Sequence, residues 1–244
     1  MFQESPQSSQ NAIDLSRHLS VFERWVIDRD AARQEHFDSL KVWTVPNLQG
    51  VGRLFVAADA SIRTDQLDAL ADRCSRGSLV LTSSHSELLT LARKLGIETY
   101  VFRWADCALD VGSALVRWAE PLEGTAIHCL HKKWRGDQPD GVDAWAVSND
   151  CEGNIIGIAA TAAEARVVGF AAAVVVDPNS RRRGIGASLS AFVLNYQLSK
   201  YPLVGLIHRS SNAPARTLYD KLKLNSVDFV MFDAPSLEAA HKMM

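Results

Sequence analysis

The sequence predicts an α/β protein, and two observations carry the prediction. Short β-branched runs alternate along the chain with segments whose apolar residues recur at helical spacing, which is typical of a sheet packed against helices. The clearest unit begins with the run 174–176, which must stop as a strand at Pro178 because proline has no N–H to donate. A glycine-containing loop follows, and apolar residues then return at the period of a helix with one buried face: Leu189, Phe192, Val193 and Tyr196.

The same patterns divide the chain into three parts. Residues 1–40 are predicted to be a helical segment, with a polar start and a second helix that reaches Leu40. Residues 41–122 are predicted to form an α/β region, and residues 123–244 a second α/β domain. The first helix is indicated by apolar residues at helical spacing: Leu15, Leu19, Phe22 and Val26.

Local signals place the elements within the two α/β parts. In the first part, strands are predicted at 42–45, 53–57, 78–82 and 98–102, with Pro46 ending the first of them, and helices at 67–74, 86–95 and 105–119. In the second part, strands are predicted at 144–147, 154–160, 164–176, 203–207 and 228–232. Helices are predicted after Gly186 and Asn212, and a short tail at 236–244.

The loop after the run 174–176 has the composition of a phosphate site. Gly184 and Gly186 lack a Cβ, so backbone N–H groups can approach a ligand, and the positive end of the next helix dipole lies at the same point. A dinucleotide-binding fingerprint would place a third glycine where this chain has Leu189, and an acidic residue where it has the neutral run 204–207. A nicotinamide-dependent oxidoreductase is therefore disfavoured.

Two motifs in this half resemble the GNAT family of N-acetyltransferases. Arg181, Gly184 and Gly186 match the family's acetyl-coenzyme A loop, R/Q-x-x-G-x-G/A, behind a similar strand end. Residues 210–222 are similar to its N-x-x-A-x-x-L-Y-x-K-L segment, in which Asn212 caps a helix that carries Tyr219. The resemblance covers residues 125–235 and leaves the first half aside.

The resemblance implies a mixed central sheet flanked by helices, and transfer of an acetyl group from acetyl-coenzyme A to an amine by direct attack in a ternary complex. Backbone groups of Val174 and Val176 would pair with the pantetheine arm, and amides of the loop would hold the pyrophosphate. Tyr219 would donate a proton to the leaving thiolate. The coenzyme-binding residues that the resemblance assigns are Val174, Val175, Val176, Arg181, Arg182, Arg183, Gly184, Ile185, Gly186, Ala187, Asn212, Ala215 and Tyr219.

The general base is left open by the sequence. The family often uses a carboxylate on the strand that enters the loop, but residues 167–173 contain none. Glu164, before that strand, and His208, at the end of the next, are the two candidates, and the amine could equally arrive uncharged. His128 and His131 are interpreted as surface histidines rather than a metal pair, because no further ligands stand at a recognisable spacing, so no metal is expected.

Composition limits the environment and the partners. The 244 residues carry 26 basic and 28 acidic side chains, a net charge of −2, so no global field favours nucleic acid or an anionic membrane. Four scattered cysteines favour free thiols, as in a reducing cytoplasm. The polar start and the lack of a long apolar run also favour a cytoplasmic location. The expected partner is a small-molecule or peptide amine, and a homodimer is compatible with the sequence. Trp134 and Trp145 are expected to be core anchors or walls of the acceptor pocket. The alternative is a coenzyme A-binding sensor or scaffold without transferase activity.

A partial internal echo links the two halves. Residues 81–97 align without gaps against residues 208–224, with Ser83-Ser84 on Ser210-Ser211 and Lys94-Leu95 on Lys221-Leu222. The first copy would lack the coenzyme site, because residues 59–65 stand in place of the phosphate loop and contain no glycine. A tandem protein with a degenerate first copy is one hypothesis, and chance recurrence on two amphipathic helices is the other.

Overall fold

The computed structural model describes residues 33–37, 40–48, 51–57, 63–73, 78–82, 86–135, 141–162, 165, 167–233 and 235. Several predictions lie outside the described residues: the helix at 11–26, most of the segment 59–65, Cys74, Glu164 and the tail at 236–244.

Eleven strands in the described part of the chain form one mixed sheet. They are β1 (Arg33–Phe37), β2 (Leu40–Leu48), β3 (Val51–Ala57), β4 (Ser78–Thr82), β5 (Thr99–Ala105), β6 (Arg117–Trp118), β7 (Val142–Asn149), β8 (Ile155–Ala162), β9 (Val168–Val176), β10 (Leu203–Arg209) and β11 (Asn225–Phe232). The described helices are α1 (Thr64–Arg73), α2 (Ser86–Lys94), α3 (Gly124–Arg135), α4 (Ile185–Leu198) and α5 (Ala213–Lys221). The strand order is β1-β2-β3-β4-β11-β5-β10-β9-β8-β7-β6. This is the mixed sheet flanked by helices that the sequence predicts.

Strand alternation assigns the helices of the second half to opposite faces of the sheet. Ile127 of α3 packs with Val147 and Ile158, whereas their chain neighbours Ala146 and Ala159 pack into another cluster. That second cluster contains residues of α4 and α5, such as Leu189 and Tyr219. Because successive side chains of a strand point to opposite faces, α3 covers one face and α4 with α5 covers the other.

The central strands are exchanged between the two halves of the chain. β5 belongs to the first half but pairs with β10 and β11, antiparallel to both. β11 belongs to the second half but lies between β4 and β5, again antiparallel to both. Each half therefore has a gap in its sheet that a strand of the other half fills.

The two halves also share an order of elements. β3, α1 and β4 form a unit with parallel strands, as do β9, α4 and β10. In the gap-free alignment of residues 81–97 with 208–224, α2 and α5 begin and end at equivalent positions. This shared order is what a duplication requires, and the duplication stays a hypothesis.

The predicted helix at 105–119 is wrong. Residues 106–116 form an irregular connection, followed by the two-residue strand β6. Tertiary hydrogen bonds replace helical ones: the Asn195 amide accepts from the Leu109 N–H at 2.8 Å and donates to its carbonyl at 2.8 Å. The Ala114 N–H also donates to Ser188 Oγ at 3.3 Å, so this segment is hydrogen-bonded to α4 at Leu109 and at Ala114.

Two boundaries in the first half also differ from the prediction. The expected second helix up to Leu40 is wrong where the chain is described, because β1 occupies Arg33–Phe37. β2 continues through Pro46 to Leu48, and its pairing with β3 shifts register between Val45 and Leu48. Proline is tolerated at such an irregularity because the local ladder hydrogen bond is already absent there.

Helix α3 was not predicted, and a short 3₁₀ helix, Pro121–Glu123, capped by a carboxylate, leads directly into it. Glu123 Oε2 accepts the backbone N–H of Glu120 at 2.7 Å, and both carboxylate oxygens of Glu123 contact the Arg117 guanidinium, at 2.6 and 2.8 Å. The Arg117 hydrogen bonds lower the pKa of Glu123 to about 2. This pair joins the edge strand β6 to the beginning of α3.

None of the helices in the described residues is both long and apolar enough to cross a lipid bilayer.

Candidate active site

The loop between β9 and α4 brings the predicted phosphate-binding residues together at the start of a helix. A short 3₁₀ helix, Pro178–Ser180, follows β9, and the Asp177 carboxylate caps it by accepting the Asn179 N–H at 2.9 Å. Gly184 has φ of +78° and precedes α4. The N–H groups of residues 185–187, in the first turn of α4, have no carbonyl acceptor within the helix. The arginine side chains of the loop, at 181–183, are exposed.

Gly184 and Gly186 are required in the loop for different structural reasons. Gly184 adopts a left-handed conformation with open space around it, so a side chain there would be strained but unobstructed. Gly186 has no such conformation, but a Cβ there would lie 2.8 Å from Leu218 Cδ1 of α5. Gly186 therefore permits close packing of α4 against α5, and its substitution would require the Leu218 side chain to shift.

A cleft opens where β9 and β10 separate. The parallel strands pair only at 168–170 with 203–205, although both continue beyond. At the same place β9 contains one extra residue opposite Ala159 of β8, and Ala173 has φ of +52°. A bulge of this kind bends the strand and turns its backbone groups away from the regular ladder. The edge of β9 that faces the cleft is thus free of β10 from residue 171 onward.

The cleft is a cavity of about 310 Å³ that reaches residues on both faces of the sheet. Its walls combine small or aliphatic groups with several polar side chains. The lining residues are Tyr100, His131, Ala171, Ala172, Ala173, Val174, Leu206, Ile207, His208, Arg209, Asn212, Ala215 and Tyr219.

Helix α5 presents Tyr219 to this cleft. Asn212 caps the helix as expected, because its Oδ1 accepts the Ala215 N–H at 3.2 Å, and Pro214 stands in the first turn. Tyr219 is 5% exposed, and its ring lies 5.5 Å from the His208 ring, centroid to centroid. The cap and the spacing along the helix together direct Tyr219 toward the end of β10.

His208 is held by hydrogen bonds at both ring nitrogens. Nδ1 lies 2.8 Å from the Arg209 carbonyl, which can only accept, so Nδ1 carries the proton. Nε2 then accepts from the Arg103 guanidinium Nε at 3.3 Å. Burial, and the positive charges of Arg103 and Arg216, lower the pKa of His208 against the opposing effects of the Arg209 carbonyl and Asp220. His208 is therefore a neutral imidazole whose remaining lone pair is directed at Arg103.

We expect this arrangement to make the folded state lose stability in mild acid. In the unfolded chain His208 is protonated near the ordinary histidine pKa of about 6.5, whereas in the folded protein it is protonated only at a lower pH. This contribution to the free energy of unfolding is complete above pH ~6.5 and is lost as the pH falls toward the folded pKa. Urea unfolding at pH 7.5 and 5.5 should show a larger loss for wild type than for His208→Gln, and equal losses would contradict the assignment.

Arg103 ties a strand of the first half to this site. It lies on β5, opposite Leu206 of β10 and diagonal to His208. Besides its bond to His208, its Nη2 lies 2.8 Å from Asp220 Oδ1, the residue after Tyr219. The Arg103 side chain is only 7% exposed, whereas that of Asp220 is 57% exposed. The guanidinium thus links the end of β10 to helix α5.

The interpretation of both histidines of α3 as surface residues is wrong for His131. His128 is exposed, but His131 is 3% exposed and lines the cleft. Ile127 and His131 are four residues apart, so they share the buried face of the helix. Among the described residues, no group of three or more histidine, cysteine or carboxylate side chains is arranged to hold a metal ion.

The structure brings together part of the predicted site. Val174, His208, Asn212, Ala215 and Tyr219 line the cleft. Two predicted coenzyme residues, Val175 and Ile185, have buried side chains in the core, so they could meet a ligand only through their backbone. Glu164 lies outside the described residues. The exposed thiols Cys107, Cys129 and Cys151 are free, as expected.

Sequence reasoning missed Tyr100, Arg103 and His131. Tyr100 and Arg103 reach the site because β5 pairs with β10, and no local pattern announces that pairing. For His131 a signal existed, since Ile127, Leu130 and His131 follow the spacing of one helix face.

A mixed sheet whose parallel strands separate beside a glycine-containing loop defines the class of protein, and the comparisons with known proteins agree. The model of the acetyltransferase (GNAT) family matches residues 99–223, just over half of the chain. The chain therefore belongs to the GNAT family of acetyltransferases. No curated protein matches the sequence.

Solved structures with the same fold are distant in sequence. A GCN5-related N-acetyltransferase from Kribbella flavida is 16% identical, with 95% of this chain and 96% of that chain covered and a TM-score of 0.54. A GCN5-related N-acetyltransferase-like protein from Streptococcus suis is 14% identical, with 92% and 98% covered and a TM-score of 0.55. A GCN5-related N-acetyltransferase from Sphaerobacter thermophilus is 16% identical, with 79% and 75% covered and a TM-score of 0.55. At these identities the likeness concerns the fold.

Proposed function

We propose that this protein transfers an acetyl group from acetyl-coenzyme A to the amine of a small molecule or peptide. The observation that carries the proposal is the cleft between β9 and β10, which Tyr219 lines, together with the glycine loop that connects the end of β9 to α4. Family membership supports acyl transfer as the reaction class. The geometry supports the rest of the proposal as follows.

The residues of the loop suit the phosphates of the coenzyme. Three exposed arginines, Arg181, Arg182 and Arg183, stand beside the first N–H groups of α4, so charge and hydrogen-bond donors coincide. The pantetheine arm carries amides that can pair with a strand edge, and β10 leaves such an edge of β9 unpaired from residue 171 onward, although the Val176 carbonyl accepts from Arg181 Nε at 3.2 Å. The bulge at Ala173 would aim a backbone N–H at the thioester oxygen, where negative charge develops.

Tyr219 is the proposed proton donor to the leaving sulfur. A phenol has an ordinary pKa of about 10 and a thiol of about 8.5, so donation depends on position rather than on acidity alone. Tyr219 is buried at the wall of the cleft, beneath the end of β10, where such a position is fixed by packing against His208. Its hydroxyl would act as a hydrogen-bond donor that strengthens as the thiolate forms.

The experiment that tests the proposal is calorimetric titration with acetyl-coenzyme A, comparing wild type with Ala187→Glu. Ala187 is the third residue of α4, and a carboxylate there should repel the pyrophosphate while interacting favourably with the helix dipole, by ~0.3–1 kcal/mol. The matched control is Ala126→Glu, the same change at the third residue of α3. We expect binding by wild type and Ala126→Glu, and at least ~10-fold weaker binding by Ala187→Glu, which corresponds to about 1.4 kcal/mol.

Two results would speak against the proposal. Absence of heat with acetyl-coenzyme A for wild type would reject the coenzyme site. Equal binding by both alanine variants would move the phosphates away from α4. NADH serves as the comparison ligand, and tighter binding of NADH than of acetyl-coenzyme A would favour the oxidoreductase reading.

A further inference from the structure

His131 is a buried imidazole at the cleft to which the chemistry above gives no role. Its side chain lies on the face of α3 that packs against β8 and β9, and its ring meets the edge of the Trp145 ring with 6.0 Å between centroids. Buried positions of this kind usually carry aliphatic residues, because an imidazole is costly to remove from water. The fold thus keeps a nitrogen base at the wall of the cleft, where packing alone would favour leucine or isoleucine.

The two cleft imidazoles belong to opposite faces of the sheet. His131 extends from α3, whereas His208 contacts Tyr219 on the face of α4 and α5. The gap between β9 and β10 joins the two faces, since residues of both line one cavity. His131 and Tyr219 therefore lie on opposite faces of the sheet, and both border the gap between β9 and β10.

We propose that His131 is the general base of the acyl transfer proposed above, on which this inference rests, and that the acceptor amine approaches from the α3 face. The amine gives a proton to an imidazole nitrogen as its own nitrogen bonds to the thioester carbon. The carbon–sulfur bond breaks toward the other face, where the sulfur takes the Tyr219 hydroxyl proton. His131 then releases its proton to solvent and Tyr219 takes one back from solvent, so both residues return to their starting state. The products are an amide and a free thiol.

His208 is less suited to this role because of its hydrogen bonds. A base needs a lone pair directed at the incoming amine, and the single lone pair of the neutral His208 ring accepts from Arg103 at 3.3 Å. Its other nitrogen donates to the Arg209 carbonyl at 2.8 Å. An imidazole that acts as a base can be oriented through one nitrogen and react with the other, and His131 lines the cleft on the face of α3.

The test compares His131→Gln with His128→Gln. The two residues lie one turn apart on α3, and His128 is exposed, so the control makes the same change on the same helix outside the cleft. Release of free thiol from acetyl-coenzyme A is measured with hydroxylamine as the acceptor and again with water alone. We expect His131→Gln to lower kcat by ~10²-fold or more, with unchanged calorimetric affinity for acetyl-coenzyme A. His128→Gln should match wild type in both.

Chemical rescue separates a base from a packing residue. His131→Ala opens space beside Trp145, and added imidazole should restore thiol release in proportion to its uncharged form. Pyrazole has the same ring shape and is far less basic, so it should fill the same space without restoring turnover. Rescue also keeps the test valid if His131→Gln folds poorly.

The outcomes distinguish failure of the His131 assignment from failure of the transferase proposal and from failure of the coenzyme site. Equal kcat for wild type and His131→Gln, or equal rescue by imidazole and pyrazole, overturns the assignment of the base while the acyl transfer stands. Wild type that binds acetyl-coenzyme A but releases no thiol with either acceptor overturns the transferase proposal and the base with it. A wild type that fails to bind acetyl-coenzyme A rejects the coenzyme site itself.

Discussion

Tyr219→Phe is expected to lower kcat for thiol release by ~10²-fold while leaving the affinity for acetyl-coenzyme A unchanged. The substitution removes one hydroxyl and keeps the buried ring, so its packing against His208 at 5.5 Å is preserved. The donor to the departing sulfur is lost, and that interaction strengthens in the transition state, which is why kcat and not binding should change. The measurement is steady-state thiol release at saturating acetyl-coenzyme A, beside a calorimetric titration.

Tyr196→Phe is the matched control. Tyr196 is 37% exposed on α4, and its ring packs against Trp118 at 4.7 Å between centroids, away from the residues that line the cleft. It should retain wild-type kcat. A Tyr219→Phe variant with wild-type turnover would remove Tyr219 from the chemistry, and a parallel loss of coenzyme affinity would make it a binding residue instead.

Asp220→Asn is expected to produce the largest loss of stability among the charge substitutions proposed for this protein, about 2 kcal/mol. The Arg103 guanidinium is nearly buried, and its Nη2 lies 2.8 Å from the Asp220 carboxylate, which compensates its charge. Removing that compensation leaves a positive charge with poor access to water, although the exposed side of Asp220 moderates the cost. The measurement is urea unfolding at neutral pH.

A second Asp–Arg pair provides the comparison. Asp228 of β11 lies 3.8 Å from Arg93 of α2, with side chains 44% and 61% exposed. Solvent screens such a pair, so Asp228→Asn should cost less than ~1 kcal/mol. If both substitutions cost the same, the Arg103 contact does not stabilise the site, and the linkage of β5 to α5 would lose its energetic basis.

The glycine loop between β9 and α4 and the start of α5 could be predicted from the sequence because their signals are local. The strand end before Pro178, the left-handed Gly184 and the Asn212 cap each depend on residues within a few positions of one another. The same holds for the echo between α2 and α5. Such patterns survive in any tertiary context, so their interpretation did not require the rest of the chain.

The remainder of the site depends on contacts between distant residues. Arg103 and His208 are 105 positions apart, and their contact exists because a strand of the first half pairs with a strand of the second. The segment 106–116 has a helical pattern but is bound instead by Asn195 and Ser188 of α4. Local propensity is too weak to outweigh such bonds, and periodicity cannot represent them.

The exchanged strands also have a consequence for how this protein is made. Translation produces β4 and β5 early, but β11, which separates them in the sheet, is made only at residues 225–232. Until then the facing edges of β4 and β5 expose unpaired N–H and C=O groups, which is the condition under which nascent chains aggregate or recruit chaperones. Neither half can complete its sheet on the ribosome alone, so completion of the sheet must await the synthesis of β11.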